Sequence, residues 1–259
     1  MLALLAGNTL RRRIQAALAV GKAAPLTGSL LFASSLRELA DLISQHPGSP
    51  AFVDPGLGAN NGSVLGRGGL AGFDWGTVPL IWCGRSVSAE QDVPGRLGFP
   101  FTTRLKPDID DDIDGIGSAI LRSVHAPVTH RLLARMRESV DPGAQAIFER
   151  ALHLAVAPCT VPQLAASMGI IERTLQRRCI ALGIPSPKTL ISLARIFTVE
   201  RLIDWSRQPT DVVTLALGMS DRSNYRRLVL RVLGKSPAVI RADGGSDRFA
   251  ELVVSAFRR

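Results

Sequence analysis

A stretch in the second half of the chain decides the fold of that half, because it occurs twice. Residues 169–178 read Gly-Ile-Ile-Glu-Arg-Thr-Leu-Gln-Arg-Arg, and residues 218–227 read Gly-Met-Ser-Asp-Arg-Ser-Asn-Tyr-Arg-Arg. Each copy is soon followed by a glycine and a Ser-Pro pair, at 183–187 and at 234–237. A tight turn between two helices needs a residue at positive φ, where glycine is unstrained. The repeat therefore predicts two units, each made of a helix, a glycine turn, a basic helix and a closing turn.

Two helix-start signals flank the first copy. Thr160-Val161-Pro162-Gln163 has the spacing of a capping box, with proline in the first turn. Ser186-Pro187 opens an amphipathic pattern that continues to about Arg207. Asp141-Pro142-Gly143 predicts a break between two helices, and no strand pattern follows it. We therefore expect the second half to be entirely helical.

The basic charge of the chain is concentrated in the same half. The formal net charge is +9, but residues 1–154 hold 15 Lys and Arg against 14 Asp and Glu, whereas residues 155–259 hold 16 against 8. A basic half joined to a nearly neutral half favours contact with a polyanion such as nucleic acid. The second helix of a helix-turn-helix unit is the element that enters the major groove of DNA. The two basic helices of the repeat are therefore candidates for that role.

The repeat and its surroundings resemble the AraC/XylS family of transcription regulators over residues 143–241. The final Gly-x-Ser-Pro-x-x-x-Arg, from Gly234 to Arg241, is especially typical of that family. The resemblance implies a seven-helix domain with two helix-turn-helix units joined by a long helix over 187–206. Its two recognition helices would enter successive major-groove segments about one helical turn apart. The matching positions include Leu164-Ala165, Gly169, Leu175-Gln176-Arg177, Gly183, Ser186-Pro187, Arg195, Leu202-Ile203, Gly218, Asp221, Ser223, Tyr225, Arg227, Gly234, Ser236-Pro237 and Arg241.

The chain departs from the family pattern at several packing positions. Ile171 stands where the first recognition helix usually begins with serine, so a helix cap is lost. Cys179, Met219 and Val229 replace aromatic residues, and Thr214 stands where a small apolar residue is usual. These departures do not remove the charged residues that are expected to face DNA.

A set of polar residues in the two basic helices is expected to contact DNA. Arginine can donate two hydrogen bonds to guanine, and asparagine or glutamine can pair with adenine. The candidates for base contacts are Arg173, Gln176, Arg222 and Asn224. Arg177, Arg226 and Arg227 are candidates for phosphate contacts or support of the helices, and Ser223 is a further DNA-binding candidate. Glu172 and Asp221 are expected to cap their helices, because a carboxylate suits a helix N-terminus.

The first half alternates short apolar runs with helical patterns, which is typical of an α/β layer with a parallel sheet. Ser35 is the expected N-cap of a helix over 35–45, and the Gly-rich residues 55–77 are interpreted as a loop. A helix is predicted over 110–124, with the acidic run from Asp108 in its first turn. Strands are predicted over 2–6, 29–32, 51–53, 78–83 and 99–103, and another helix over 9–20.

This order of strands and helices resembles the receiver domain of two-component response regulators. Asp54 ends the third strand, where a receiver carries its phospho-acceptor aspartate, and Lys106-Pro107 stands where receivers place a Lys-Pro pair. Receivers also have an acidic pair after the first strand, which helps to hold Mg²⁺. This chain has Gly7-Asn8-Thr9 there, and Gly84, with Ser86 two residues on, stands near the place of the switch hydroxyl. The resemblance therefore implies a pseudo-receiver that has kept the scaffold and lost most of the site.

Three alternatives stay open beside a DNA-binding regulator with a pseudo-receiver. Asp54 is either an active phospho-acceptor, in a phosphorylation-controlled response regulator, or a turn former before Pro55-Gly56. An enzyme such as a small α/β hydrolase is disfavoured, because the sequence has no Gly-x-Ser-x-Gly elbow and no Gly-rich phosphate loop. A protein-interaction module that has lost DNA readout is the third alternative.

The predicted organisation is a receiver-like α/β domain over 1–125, a helical linker over 126–142 and an all-α double helix-turn-helix domain over 143–259. The three cysteines are isolated, which argues against disulfides and structural zinc and fits a reducing compartment. No run approaches the roughly 18 apolar residues of a membrane span. We expect a cytoplasmic, non-enzymatic regulator without cofactor or metal, whose partner is double-stranded DNA. A homodimer through the N-terminal domain and a contact with RNA polymerase stay open.

Overall fold

The computed structural model divides the chain into two compact units, Met1–Pro127 and Val128–Arg259. The first, unit 1, combines a parallel sheet with helices, and the second, unit 2, is helical in its described part. The protein is therefore mixed α/β, and most of the secondary-structure elements that the structure describes are helices. The structure describes residues 2–5, 8–46, 48–54, 78–84, 102–106 and 112–257.

Unit 1 is built on a five-stranded sheet in which every neighbouring pair is parallel. The strands are β1 (Leu2–Leu5), β2 (Leu30–Phe32), β3 (Ala51–Val53), β4 (Leu80–Cys83) and β5 (Thr102–Leu105). Their order across the sheet is β2-β1-β3-β4-β5, which is the order of one class of doubly wound α/β folds. Both β3 and β4 are buried at every position, because parallel strands are normally covered on both faces.

The helices of unit 1 are amphipathic. Ile14 and Ala17 are the buried residues of α1 (Asn8–Val20), and a 3-10 turn follows at Ala24–Leu26. The next helix, α2 (Leu36–Gln45), begins after Ser35, whose hydroxyl accepts a hydrogen bond from the Glu38 backbone N–H at 3.2 Å. This confirms the predicted N-cap.

Two predicted elements of this half have different bounds in the structure. The fifth strand covers Thr102–Leu105 instead of 99–103, because its pairing with β4 continues to Leu105; residues 99–101 lie outside the described residues. The helix predicted over 110–124 is α3 (Ile113–Arg137), which continues through Pro127. Proline in a helix costs about 3 kcal/mol, but the buried apolar positions of α3 recur at helical spacing on both sides of it, and their burial outweighs that cost.

Unit 2 includes all but the first two residues of the segment that was predicted as a linker. Residues 126–142 hold the end of α3 and the start of the next helix, and Leu132, Leu133 and Met136 belong to the buried core of the unit. The following helices are α4 (Pro142–Leu154), α5 (Val161–Ser167), α6 (Glu172–Ala181), α7 (Pro187–Ser206), α8 (Thr210–Ala216), α9 (Arg222–Leu233), α10 (Pro237–Ala242) and α11 (Gly245–Ala256).

The long helix α7 is the centre of unit 2. It is buried on almost all sides, and α4, α8, α9 and α11 all pack against it. A helix that is covered all round belongs to a core and not to a surface. The helices packed around α7 are therefore positioned by their contacts with this one helix.

One helix of unit 2 was not anticipated. Within the continuously described stretch 112–257, eight helices follow α3: seven, α4 to α10, occupy the region for which the family resemblance implied seven helices, and the eighth lies beyond it. The additional helix, α11, buries Phe249 and Val253, and the Phe257 ring that follows it meets Phe148 of α4 edge-on, with centroids 5.0 Å apart. This apolar face makes α11 part of the core of unit 2.

Candidate nucleic-acid interface

The two copies of the sequence repeat form two helix pairs, and the first helix of each pair ends in the same glycine motif. The first pair is α5 and α6, and the second pair is α8 and α9. Gly169 and Gly218 follow the first helix of each pair at φ 67° and 69°. The next residue donates its N–H back into the helix, from Ile170 to the Ala165 carbonyl at 3.1 Å and from Met219 to the Thr214 carbonyl at 2.9 Å. Both turns are therefore Schellman motifs, which need a left-handed residue and favour glycine.

The second turn is one residue longer than the first. The glycines are 49 residues apart in sequence, but the basic helices begin 50 residues apart, at Glu172 and Arg222. The buried residues of the two helices keep the second spacing, since Leu175 and Cys179 of α6 correspond to Tyr225 and Val229 of α9. Position by position, Arg173 therefore corresponds to Ser223 and not to Arg222.

The two basic helices are capped differently. The Asp221 carboxylate accepts a hydrogen bond from the Asn224 N–H at 2.6 Å, which confirms the predicted cap of α9. The predicted cap at Glu172 is wrong. Ile171 occupies the N-cap position and makes no side-chain cap bond, while Glu172 is the first helical residue and its carboxylate accepts a hydrogen bond from Gln176 at 3.0 Å. The reason is the shorter turn, which leaves Ile171 as the extended residue before the helix.

Each basic helix presents a row of exposed polar side chains. All the residues predicted from the sequence to contact DNA are exposed: Arg173, Gln176, Arg177, Arg222, Ser223, Asn224, Arg226 and Arg227. Arg178 and Arg231 are also exposed on the same helices. Arg231 was missed, although it follows Arg227 by one helical turn and lies on the same side of α9. Among the described residues, none of the arginines of α6 and α9 has an ion-pair partner, so their charge is not neutralised within the unit.

A shallow cleft of about 370 Å³ lies along the start of α9. Met219 and Leu228 form its apolar lining, with Ser220, Asn224, Arg227 and Arg231 around them. The Arg227 guanidinium donates to the Asn224 side-chain oxygen at 2.8 Å, and the Asn224 amide donates to the Ser220 hydroxyl. These bonds hold the polar groups of the cleft in one arrangement.

Arg195 connects segments that belong to both helix pairs. From the middle of α7 its guanidinium donates to the Ala157 carbonyl at 2.7 Å, before α5, and to the Leu217 carbonyl at 2.9 Å, at the end of α8. Burial lowers the pKa of Arg195. The two bonds satisfy carbonyl groups that the helices cannot use, and they fix both segments to the same helix.

Glu200, also on α7, holds the second pair in place. Its side chain is 2% exposed, and its two oxygens accept hydrogen bonds from the Arg241 guanidinium of α10, both at 2.6 Å. The Tyr225 hydroxyl of α9 donates to the same carboxylate, and Arg241 also donates to the Thr210 hydroxyl of α8 at 3.1 Å. Three helices thus meet at one buried carboxylate, and Arg241 links α8 to it. The sequence reasoning did not single out Glu200; its only sequence signal is an acidic residue inside the apolar run of α7.

This network shifts the pKa values of Tyr225 and Arg241. Burial is the main cause that raises the pKa of Tyr225 well above its usual range, and the nearby charge of Glu200 adds to it. The hydrogen bonds to Glu200 raise the pKa of Arg241. The protonated tyrosine and the charged arginine are therefore both favoured by folding.

The residues predicted as a phosphorylation site lie at the carboxyl edge of the sheet in unit 1. Asp54 directly follows β3, Gly84 follows β4 and Lys106 follows β5. Burial, together with the charge of Asp54, raises the pKa of the Cys83 thiol at the end of β4. The other predicted members, Gly7, Pro55-Gly56, Ser86 and Pro107, lie outside the described residues, as does the predicted loop 55–77.

Comparison of the chain with models of protein families, with curated proteins and with solved structures finds no match. Among the described residues, no helix is long and apolar enough to cross a membrane. The same residues contain no group of three or more His, Cys, Asp and Glu side chains that could hold a metal ion.

We expect the only tyrosine of the chain to stay protonated well above the ordinary tyrosine pKa of about 10 for as long as unit 2 is folded. Because folding raises the pKa of Tyr225, its contribution to stability is complete below pH ~10 and is lost as the pH rises further. Ultraviolet absorbance of tyrosinate measures this titration directly, since the chain has one Tyr.

Glu200→Gln tests the contribution of the Glu200 charge to that titration. Removing the buried charge should lower the pKa of Tyr225. It also leaves Arg241 without its counter-charge, so the free energy of unfolding, measured with urea, should fall by about 3 kcal/mol. This is the lower end for a broken buried pair, because Arg241 is partly exposed. The matched control is Glu251→Gln, which removes the same group from an exposed pair with Arg248 and should change little. Ionisation of Tyr225 near pH 10 in the folded parent protein would contradict the account.

Proposed function

We propose that this protein is a sequence-specific DNA-binding transcription regulator and that its two helix pairs are helix-turn-helix units. The observation that carries the proposal is the repeated basic helix: α6 and α9 each present exposed arginines without an internal counter-charge, each after the same glycine turn. Uncompensated arginines on a helix attract a polyanion, and an α-helix fits the major groove of DNA.

The side of each helix that faces away from the core decides which residues reach the bases. In α6 this side is opposite Leu175 and Cys179, and Arg177 lies at its centre with Arg173 beside it. In α9 the equivalent residues are Arg227 and Ser223. The proposal therefore moves Arg177 and Arg227, first assigned to phosphates, to the bases, where an arginine can pair with guanine through two hydrogen bonds.

The arginines toward the edges of the two helices suit the DNA backbone. Arg178 and Arg226 are exposed but lie to the sides of the outward face, and Arg222, in the first turn of α9, is exposed but lies nearer the buried side. Arginine binds phosphate oxygens through its planar pair of donors, and such contacts fix the position of a protein without reading sequence. Asn224 lies nearer the outward face and remains a candidate for adenine, whereas Gln176 occupies the place of Arg226, to the side of that face.

Unit 1 is proposed to be the regulatory or oligomerising part, as a pseudo-receiver. The strands are parallel, and the order β2-β1-β3-β4-β5 makes β3, β4 and β5 neighbours, so their carboxyl ends lie side by side at one edge of the sheet. Doubly wound sheets bind ligands at this edge. Asp54 and Lys106 lie at that edge, but Asn8, where receivers carry an acidic residue, is a neutral residue that starts α1. Cytoplasmic location, homodimer formation and contact with RNA polymerase belong to the same proposal.

We expect selection from a pool of random duplex DNA to enrich a bipartite site, with half-sites about 10 base pairs apart. Arg177→Ala should remove the preference for a guanine in one half-site and Arg227→Ala in the other, each at a cost of about 1–3 kcal/mol. The matched control is Arg248→Ala on α11, whose guanidinium pairs with Asp243 and Glu251. Binding without any enriched sequence would contradict the proposal and favour an interaction module.

Incubation with acetyl phosphate and Mg²⁺ separates the pseudo-receiver from the second candidate, a phosphorylation-controlled regulator that uses Asp54. We expect no phosphate on Asp54, because Gly7-Asn8-Thr9 stands where receivers carry the acidic pair that helps to hold Mg²⁺. Intact-mass measurement of the parent protein and of Asp54→Asn provides the readout. A phosphate that the parent gains and Asp54→Asn does not would establish the second candidate instead.

A further inference from the structure

The outward sides of the two basic helices each carry one large apolar residue. Ile180 of α6 is 79% exposed, and Leu230 of α9 is 52% exposed. The two residues are 50 apart in sequence, which is the spacing of the buried residues Cys179 and Val229 that precede them. They therefore occupy the same place in the two copies.

Both apolar residues stand beside the central arginine of their helix. Ile180 follows Arg177 by three residues and Leu230 follows Arg227 by three residues. Residues three apart are neighbours on one side of a helix, about 4.5 Å apart along its axis. Successive base pairs are about 3.4 Å apart. A base that the apolar residue touches would therefore lie one or two base pairs from the base that the arginine reads.

The chemistry of the major groove limits what such a residue can contact. Base edges there present hydrogen-bond donors and acceptors, and the only apolar group is the C5-methyl of thymine. Aliphatic side chains in a cationic surface gain nothing from phosphates or from polar edges, but they gain free energy by covering a methyl group. The repeated position argues against a chance exposed residue, because each copy has one at the same place.

We infer that Ile180 and Leu230 each contact a thymine methyl group and help to determine the DNA sequence that the protein binds. This inference rests on the proposed DNA-binding function. It predicts the same two bases in each half-site: a guanine that Arg177 or Arg227 contacts, and a thymine one or two base pairs away. The half-sites differ at the neighbouring position, since Arg173 in α6 corresponds to the short hydroxyl of Ser223 in α9.

The test replaces thymines of the selected site, one at a time, by deoxyuridine, which lacks the C5-methyl group and keeps the same base pairing. We expect one thymine in each half-site at which the replacement weakens binding about fourfold, the value of one buried methyl group. Ile180→Ala should abolish this sensitivity in one half-site only, and Leu230→Ala in the other only. Both residues are exposed, so the variants are expected to fold.

The matched control is Leu215→Ala, which truncates an apolar residue that is 71% exposed but lies on α8, outside the basic helices. It should leave the sensitivity to deoxyuridine unchanged in both half-sites. If no bipartite site is selected, the proposed function itself fails. If a site is selected but binding is indifferent to deoxyuridine, or if Ile180→Ala weakens binding by changing the oligomeric state, the proposed function stands and this inference is overturned.

Discussion

The arrangement of unit 2 depends on one buried carboxylate. Glu200 lies inside the most buried helix of the unit and would be costly there without partners. Its partners come from outside α7: Arg241 supplies two hydrogen bonds and Tyr225 a third. Because these bonds are possible only in one geometry, they fix α9 and α10 against α7. The position of the second basic helix is therefore set by a polar contact as well as by apolar packing.

The two helix pairs share a glycine motif and the spacing of their buried residues, but they differ in the polar contacts that hold their basic helices. The second pair has the Asp221 cap and the Glu200 network, whereas the first has Ile171 without a cap and Leu175 where the second has Tyr225. A missing N-cap costs about 1 kcal/mol. The first basic helix therefore depends more on its apolar contacts than the second does.

Much of the fold could be predicted from local signals. Ser35, the Thr160 capping box and Ser186-Pro187 mark helix starts in the sequence and in the structure, because a cap is a contact between residues that are close in sequence. Four strands were predicted within two residues at each end, since their apolar runs end at turn residues. The exposure of the basic residues followed from their helical spacing.

The features that were missed depend on distant residues. The role of Glu200 needs Arg241, 41 residues away in sequence, and a single acidic residue does not reveal its partner. The correspondence of Arg173 in α6 with Ser223 in α9 was not predicted. The glycines of the repeat are 49 residues apart, whereas the buried residues of the basic helices are 50 apart. The continuation of α3 through Pro127 was missed because local propensity argues against it, and only the packing of the following turns overrides it.

The central claim is that the exposed arginines of α6 and α9 form the surface that binds DNA, and the salt dependence of binding to duplex DNA tests it most directly. Each phosphate neutralised by a protein cation contributes about −0.9 to the slope of log affinity against log salt concentration. We predict a steep slope for the parent protein and a slope about 1 or 2 units shallower when Arg178 and Arg226 are both replaced by alanine. A slope near zero for the parent, or an unchanged slope for the double variant, would contradict the account.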